Sequence, residues 1–273
     1  MELLSFRFLI FCAIVVIAYF ALPKRMQWWV LLAASMVFYA SGGVRNVLFV
    51  LITATSTYAA TLLMQRMADT QKTWLKENKS LVSKEEKDAF KSKILFRRRL
   101  VLVVTLVINF GLLGYFKYLQ MILETLSRII SGFGGAAVND VWELIVPLGI
   151  SFYTFQTMGY LIDVYWKKTP PEKNYLKTLL FVSFFPQMTQ GPISNFKDLT
   201  TELFTKHSFS YKQFSWGCQR IIWGLFKKLA IANVLAGYVG NVFANYHEYS
   251  ALTTLLGAFM YSVQIYADFS GYM

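Results

Sequence analysis

The stretch PLGISFYTFQTMGYLIDVYWKKTPPEKNYLKTLLFVSFFPQMTQGPISNF, residues 147–196, decides the fold predicted for this chain. Its first twenty residues are mostly apolar, with a few evenly spaced polar side chains, and a basic turn separates them from a second apolar run. Pro186, Gly191 and Pro192 interrupt that second run, and the two prolines remove backbone donors. The stretch therefore predicts a membrane-length helix followed by an apolar segment that cannot form one continuous helix.

Polar side chains form a stripe along the predicted helix Pro147–Trp166. At 3.6 residues per turn, spacings of 4, 3, 4 and 3 place five residues on one face, namely Gly149, Tyr153, Gln156, Tyr160 and Asp163. Lipid offers no partner for an amide or a carboxylate, so this stripe should face protein or a water-filled cavity. Two interpretations stay open: a buried hydrogen-bonded seam between helices, and the wall of a substrate tunnel.

The interrupted segment is predicted to be re-entrant. Irregular backbone at membrane depth is tolerated only where it is buried in protein or lines a cavity. Gln187, Thr189 and Gln190 are placed to satisfy the backbone groups that the break frees. We predict that Gln187, Gln190, Gly191 and Pro192 contribute to the tunnel wall.

The composition predicts an integral membrane protein. Of 273 residues, 56% are hydrophobic and 15% charged, and the mean hydropathy is +0.43. The net charge of +12 comes from basic residues between apolar segments, a pattern that sets topology and meets anionic lipid, so no nucleic-acid partner is predicted. Cys12 and Cys218 have no metal-ligand spacing. We expect no metal and no bound cofactor.

Apolar runs predict an all-α polytopic protein whose 273 residues form one membrane domain. The predicted spans are Leu3–Leu22, Met26–Ala40, Val44–Met64, Leu100–Leu119, Leu144–Trp166, Phe214–Leu235 and Leu252 onward. Residues 195–213 are predicted to form a polar connection.

Residues 65–99 are predicted to form a basic cytoplasmic loop, as a helical hairpin or an interfacial helix. Arg97 to Arg99 are expected to anchor it at lipid headgroups. Connections that contain Lys and Arg alternate along the chain with connections that contain neither, so the positive-inside rule places the N-terminus outside.

Two further helical faces carry polar residues. Tyr261, Gln264 and Asp268 share a face of the last predicted helix, and we include them in the tunnel wall. Trp216, Arg220, Trp223 and Lys227 share a face of the helix before it. That face suits cations that extend to an interface beside indole rings, or an access route for an anionic acyl donor through Arg220, Trp223 and Lys227.

Four segments in order resemble the membrane-bound O-acyltransferase family, in its alginate O-acetylation branch. They are PLGISFYTFQTMGYLIDVYW, FFPQMTQGPI, GLFKKLAIAN and YADFSGYM, and the resemblance covers residues 142–273. It implies the N-terminal part of that family's helical bundle. It also implies that the catalytic histidine follows the YADFSGYM segment, after Met273, so that the chain is truncated and inactive by itself. Neither His207 nor His247 lies in a family motif, so no catalytic residue is assigned within the chain.

The resemblance implies acetyl transfer from a cytoplasmic thioester, acetyl-CoA or another acyl thioester, toward an extracytoplasmic polysaccharide. It further implies a multi-pass protein of the bacterial cytoplasmic membrane with a secreted or anchored acetyltransferase partner. Three alternatives stay open: D-alanine transfer to teichoic acid within the family, a transporter or flippase, and a non-catalytic fragment. An internal repeat would favour transport, and we see none.

Overall fold

The structure is a computed structural model that describes residues 5–79, 82–132, 147–188 and 191–273. Within these ranges the chain forms ten α-helices and no strand, which confirms the predicted all-α fold. The helices are α1 (Phe6–Ala21), α2 (Gln27–Ser41), α3 (Val44–Glu77), α4 (Lys84–Gly132), α5 (Ile150–Tyr165), α6 (Tyr175–Ser183), α7 (Phe196–Phe204), α8 (Tyr211–Phe226), α9 (Asn233–Ala244) and α10 (Ala251–Tyr272).

The described residues form two compact units. The first contains α1 to α7, that is, residues 5–188 and Ile193–Lys206. The second contains α8 to α10 in His207–Met273, together with Gly191 and Pro192. In the second unit α8 continues into α9 through a π-helical turn, Lys227–Ala232, so residues 211–244 are one long helix rather than the predicted α-helix at 214–235.

Three helices of the described chain are long and apolar enough to cross a membrane: Val44–Glu77, Lys84–Leu119 and Tyr211–Ala244. The first has 34 residues, which at 1.5 Å per residue is about 51 Å, well beyond a hydrocarbon core of about 30 Å. α1 is apolar but shorter, with 16 residues. These lengths support a membrane protein with more than one spanning helix.

The basic stretch at residues 65–99 is built from the ends of α3 and α4. α3 continues to Glu77 and α4 begins at Lys84, so the two helices extend as a hairpin past their apolar parts. Stacking between Trp74 and Phe90, with ring centroids 4.1 Å apart, ties the two arms together.

Small polar side chains lie between the helices of the first unit. Asn109 of α4 donates from Nδ2 to Ser56 Oγ of α3 at 3.1 Å, and Asn109 is 1% exposed. Thr53, Thr57 and Thr61 are buried along one face of α3. Small residues let helices approach closely, and side chains that bond across the interface hold helices together without a hydrophobic driving force.

Arg98 lies inside the first unit rather than at a lipid headgroup as its position in an arginine triplet suggested. It is 4% exposed, whereas Arg97 and Arg99 are exposed. Its Nη2 donates to the Tyr165 carbonyl at 2.8 Å, and its guanidinium lies 5.3 Å from the centre of the Tyr165 ring. Because the last carbonyls of a helix lack partners, the Arg98 cation caps the end of α5.

We expect Arg98→Ala to lower the free energy of unfolding by about 1.5 to 3 kcal/mol, since it removes a charged hydrogen bond and leaves the Tyr165 carbonyl without that donor. Thermal unfolding of the protein in lipid nanodiscs measures the change. Arg97→Ala and Arg99→Ala are the matched controls, and each should stay within about 0.5 kcal/mol of wild type. Equal losses in all three variants would contradict the capping role.

Candidate functional site

The polar stripe begins at Gly149, where the backbone turns into α5. Gly149 is the residue before the helix and has a φ of +71°, a conformation that other residues adopt only with strain. A Cβ on it would lie 2.6 Å from the carbonyl oxygen of Met188. The glycine therefore does not belong to the helical face as its spacing predicted; it lets the interrupted segment pass directly over the start of α5.

The interruption itself is a short 3-10 turn, Phe185–Gln187, after the end of α6 at Ser183. The Phe185 amide donates to Ser35 Oγ of α2 at 3.3 Å, and Ser35 Oγ donates to the Leu31 carbonyl at 2.8 Å. Ser35 is fully buried and satisfies backbone that the break frees. We predicted this role for Gln187 and its neighbours, and nothing in the α2 sequence singled Ser35 out.

Three residues of the predicted stripe are buried in the first unit. Tyr153 and Tyr160 are each 1% exposed and Gln156 is 7% exposed. Gln156 Nε2 donates to the Phe181 carbonyl at 3.4 Å, which ties α5 to α6. At this position the stripe is a helix-to-helix seam, one of the two interpretations left open.

Tyr160 is held at one ring face and at its hydroxyl. The hydroxyl accepts from the Glu172 amide at 2.8 Å, and the ring stacks on Phe196 with centroids 3.9 Å apart. Phe196 begins α7, which lies inside the stretch predicted to be a polar connection. The prediction missed α7 because most of its sequence is polar. The signal that could have found it is the helical 3 and 4 spacing of Phe196, Leu199 and Leu203.

The remaining predicted tunnel residues of this region are dispersed. Asp163 is half-buried near the end of α5, and its Oδ1 lies 3.9 Å from Lys168 Nζ, whose side chain is 63% exposed. Gln187 Nε2 donates to Ser194 Oγ at 2.9 Å. Gly191 is half-buried and Pro192 is exposed. Gln190 lies outside the described residues.

In the second unit, two glycines bring α8 and α10 into backbone contact. A Cβ on Gly224 would lie 2.4 Å from the carbonyl oxygen of Gly271, and a Cβ on Gly271 would lie 2.9 Å from the carbonyl oxygen of Gly224. Neither neighbour is a flexible side chain that could move aside. The two helices can cross this closely only with glycine at both positions.

An ion pair lies one turn from that crossing. Lys228 Nζ donates to Asp268 Oδ1, and the side chains are 20% and 33% exposed. The same ammonium lies 5.3 Å from the centre of the Tyr272 ring. Sequence reasoning placed Asp268 on a polar face but missed Lys228, because the pairing depends on how α10 crosses the helix that carries Lys228.

The rest of the α10 face is mixed. Tyr261 is 48% exposed, and its ring meets that of Phe243 at 6.3 Å. Gln264 is half-buried, and its Oε1 has no hydrogen-bond partner in the part of the chain that the structure describes.

The predicted donor-access face of α8 is open. Arg220 is exposed and Trp223 is 59% exposed, and Lys227 Nζ lies 5.9 Å from the centre of the Trp223 ring. A similar pair lies about three turns earlier on α8, where Lys212 Nζ is 5.7 Å from the centre of the Trp216 ring. Cations beside indoles on an exposed helix face fit both interpretations of this face.

Neither histidine lies in a buried polar face. His247 is exposed beside Tyr246, with ring centroids 3.7 Å apart, and His207 is half-buried between α7 and α8. Among the described residues, no group of three or more His, Cys, Asp or Glu side chains could hold a metal ion.

We expect Gly149→Ala to destabilise the first unit by about 2 kcal/mol or more, because it adds a clash with backbone to an unfavourable positive φ. Gly159→Ala is the matched control: Gly159 lies within α5, and a Cβ there meets no atom within 4 Å. Alanine at that helical position should raise stability by about 0.5 to 1 kcal/mol. Thermal unfolding of both variants measures these changes. A Gly149→Ala variant as stable as wild type would contradict the close contact between Gly149 and the Met188 carbonyl.

We expect the double variant Lys228→Met/Asp268→Asn to lose less stability than the sum of the losses in the two single variants. Each single variant leaves an unpaired charge, whereas the double variant leaves none. A double-mutant cycle on unfolding should give a coupling of about 0.5 to 3 kcal/mol. Lys227→Met, on the neighbouring cation, serves as control and should show no coupling with Asp268→Asn. A Lys228 coupling of zero would mean that the pair contributes nothing.

Comparison with known proteins finds similarity to proteins named as acyltransferases. It is 37% identical over 171 residues to a probable alginate O-acetylase, AlgI, of Pseudomonas aeruginosa, covering 63% of this chain and 32% of that relative. It is 31% identical over 201 residues to a peptidoglycan O-acetyltransferase of Helicobacter pylori, covering 64% and 37%. A teichoic acid D-alanyltransferase of Bacillus subtilis is 27% identical over 134 residues, covering 48% and 33%.

The chain thus spans about a third of the length of the curated relatives that it matches. No family model matches it. No solved structure matches it. The predicted resemblance to membrane-bound O-acyltransferases of the alginate O-acetylation type is confirmed by these similarities.

Proposed function

We propose that this chain, with its resemblance to alginate O-acetylases, works as a membrane-bound O-acyltransferase that moves an acetyl group to an extracytoplasmic polysaccharide. The observation that carries the proposal is the 37% identity over 171 residues to the alginate O-acetylase of Pseudomonas aeruginosa.

The relatives' names support the reaction class. One acetylates alginate, a second acetylates peptidoglycan and a third transfers D-alanine to teichoic acid. Acyl transfer to a polymer is common to all three, whereas the acyl group and the acceptor differ. Acetyl is our choice of acyl group because the relatives with identities of 31% and above are acetyltransferases.

The donor in this proposal is acetyl-CoA or another acyl thioester on the cytoplasmic side. From Lys206 to His247 the sequence contains five Lys or Arg residues and no Asp or Glu. Four of the five lie in the second unit, namely Lys212, Arg220, Lys227 and Lys228. Arg220 is exposed on α8, and Lys227 is half-buried at the start of the π-helical turn that follows it. A cationic face suits the phosphates of a CoA thioester, which would bind there before the acyl group crosses the membrane.

The chemistry needs a base for the acceptor hydroxyl and hydrogen-bond donors for the oxyanion. The buried donors of α5 are candidates for the second task only. We assign no base to His207 or His247, since neither lies in a buried polar face. The resemblance implies instead a histidine downstream of YADFSGYM, which the whole gene product would supply.

The acceptor in this proposal is alginate or a similar exopolysaccharide outside the cytoplasmic membrane, with a secreted or anchored acetyltransferase as partner. Identity is higher toward the alginate O-acetylases than toward the teichoic acid D-alanyltransferase, at 37% against 27%. The partner in this proposal rests on the resemblance to the alginate O-acetylation branch.

Inverted membrane vesicles from cells that express the whole gene product test the function. Radiolabelled acetyl-CoA is added outside, at the cytoplasmic face, and label is measured in alginate supplied inside the vesicles together with the periplasmic fraction. We expect label in the polymer only with the protein present. Peptidoglycan and teichoic acid, the latter with a D-alanyl donor, are parallel acceptors.

His207→Ala and His247→Ala are the matched controls in that assay. Loss of a catalytic base costs about 100-fold or more in rate, so both variants should keep most of the activity if neither is the base. A 100-fold loss in either would overturn our assignment. Absence of transfer to every acceptor, with the protein folded in the membrane, would overturn the proposed function.

A further inference from the structure

Four hydroxyl groups in the first unit are buried and have no hydrogen-bond partner among the described residues: those of Tyr39, Thr57, Tyr153 and Ser183. Thr57 lies on α3, whereas the other three come from α2, α5 and the end of α6, and each of the four is at most 1% exposed. Buried hydroxyls in proteins are almost always bonded, so Tyr39, Tyr153 and Ser183, which lie on segments in mutual contact, call for an explanation.

Two contacts between α5 and the α6 segment show that Tyr153 and Ser183 lie at the same height along these two segments. The start of α5 packs on Met188, and Gln156 Nε2 donates to the Phe181 carbonyl, so α5 and the α6 segment run antiparallel. Tyr153 lies one turn after the start of α5 and one turn before Gln156. Ser183 lies between Phe181 and Met188. Both side chains therefore lie between the same two cross-contacts.

Tyr39 reaches this level from α2. One turn earlier on the same helix, Ser35 binds the Phe185 amide, two residues beyond Ser183. The end of α2 just beyond Tyr39 meets the residue before Gly149: a Cβ on Gly42 would lie 3.9 Å from Leu148 Cδ2. The contacts thus bring three segments that carry buried hydroxyl groups to the same level of the first unit, beside the interruption.

The chemistry of this place favours a neutral ligand. The one buried charged residue among the described residues is Arg98, which caps the far end of α5 at Tyr165. Twelve residues separate Tyr153 from Tyr165, a rise of about 18 Å along the helix. Lys117 Nζ donates to Ser151 Oγ at 3.1 Å in the first turn of α5, but this lysine is exposed. Without a buried charge beside Tyr153 an ionic group would not be stabilised there. Hydroxyl donors instead suit an uncharged oxygen acceptor.

We propose that Tyr39, Tyr153 and Ser183 form a binding site for the oxygen of a neutral ligand group. Two sources have this chemistry: an internal water molecule, and the carbonyl of the acyl group in transit. The second source rests on the proposed acyltransferase function, and the first does not. The site extends the predicted stripe to Tyr39 and Ser183, which the helical spacing of α5 could not identify.

Tyr39→Phe, Tyr153→Phe and Ser183→Ala test the site in nanodiscs, because each removes a hydroxyl and little else. The sign of the change in melting temperature is informative. Removing a hydroxyl that has no partner at all leaves the protein equally or more stable, whereas removing one that binds a ligand oxygen destabilises it. Tyr175→Phe is the matched control. The Tyr175 hydroxyl forms a hydrogen bond of 3.0 Å with Thr55 Oγ1 and is not part of the proposed site.

The two sources give different results. For internal water, the three variants melt about 2 to 4 °C below wild type with no ligand added, and the loss is not restored by donor. For the acyl carbonyl, they melt at or above wild type without ligand, but acetyl-CoA stabilises them no more than CoA does. The difference between acetyl-CoA and CoA isolates the acyl group. In the Tyr175→Phe control that difference should equal that of wild type.

Variants that melt at or above wild type and keep the full acetyl-CoA advantage would overturn the site. If acetyl-CoA does not stabilise wild type more than CoA does, the acyl carbonyl is excluded as the ligand. The melting temperatures of the variants without ligand then show whether the site holds an internal water molecule. The vesicle assay reports separately on the proposed function, so failure of one proposal is distinguishable from failure of the other.

Discussion

The absence of water from the bilayer core is the constraint on which the first unit depends. Every backbone amide and carbonyl at that depth must find a partner within the protein, and a helix satisfies this requirement by itself. The interrupted segment after Ser183 cannot satisfy its own backbone groups in this way. It is possible because Ser35 of α2 receives the Phe185 amide and because Gly149 lets the segment lie directly on the start of α5.

Glycine has the same purpose in both units, namely to bring backbone against backbone where a polar group must be positioned. Gly149 faces Met188 beside the buried hydroxyls, and Gly224 faces Gly271 beside the Lys228–Asp268 pair. The π-helical turn that starts at Lys227 adds to this in the second unit. Such turns often mark functional positions in helices, and here the turn carries the lysine of the pair.

The polar stripe of α5 combines structural and chemical roles. Gln156 and Tyr160 bond to backbone of neighbouring segments, so most of their hydrogen-bonding capacity is used within the fold. Tyr153 is different because its hydroxyl has no partner among the described residues. A ligand site needs such a division: some polar groups fix the geometry, and a few remain available to the ligand.

The sequence by itself determined the all-α membrane fold, the resemblance to O-acyltransferases and the interruption near Pro186, because hydropathy, proline chemistry and helical period act over short distances along the chain. It also determined that Gln156 and Asp268 lie on polar faces. Only the tertiary structure decided which groups meet them. Ser35 and Lys228 act from other helices, and Arg98 faces inward while its neighbours face outward, because pairing across helices depends on crossing geometry that no local spacing contains.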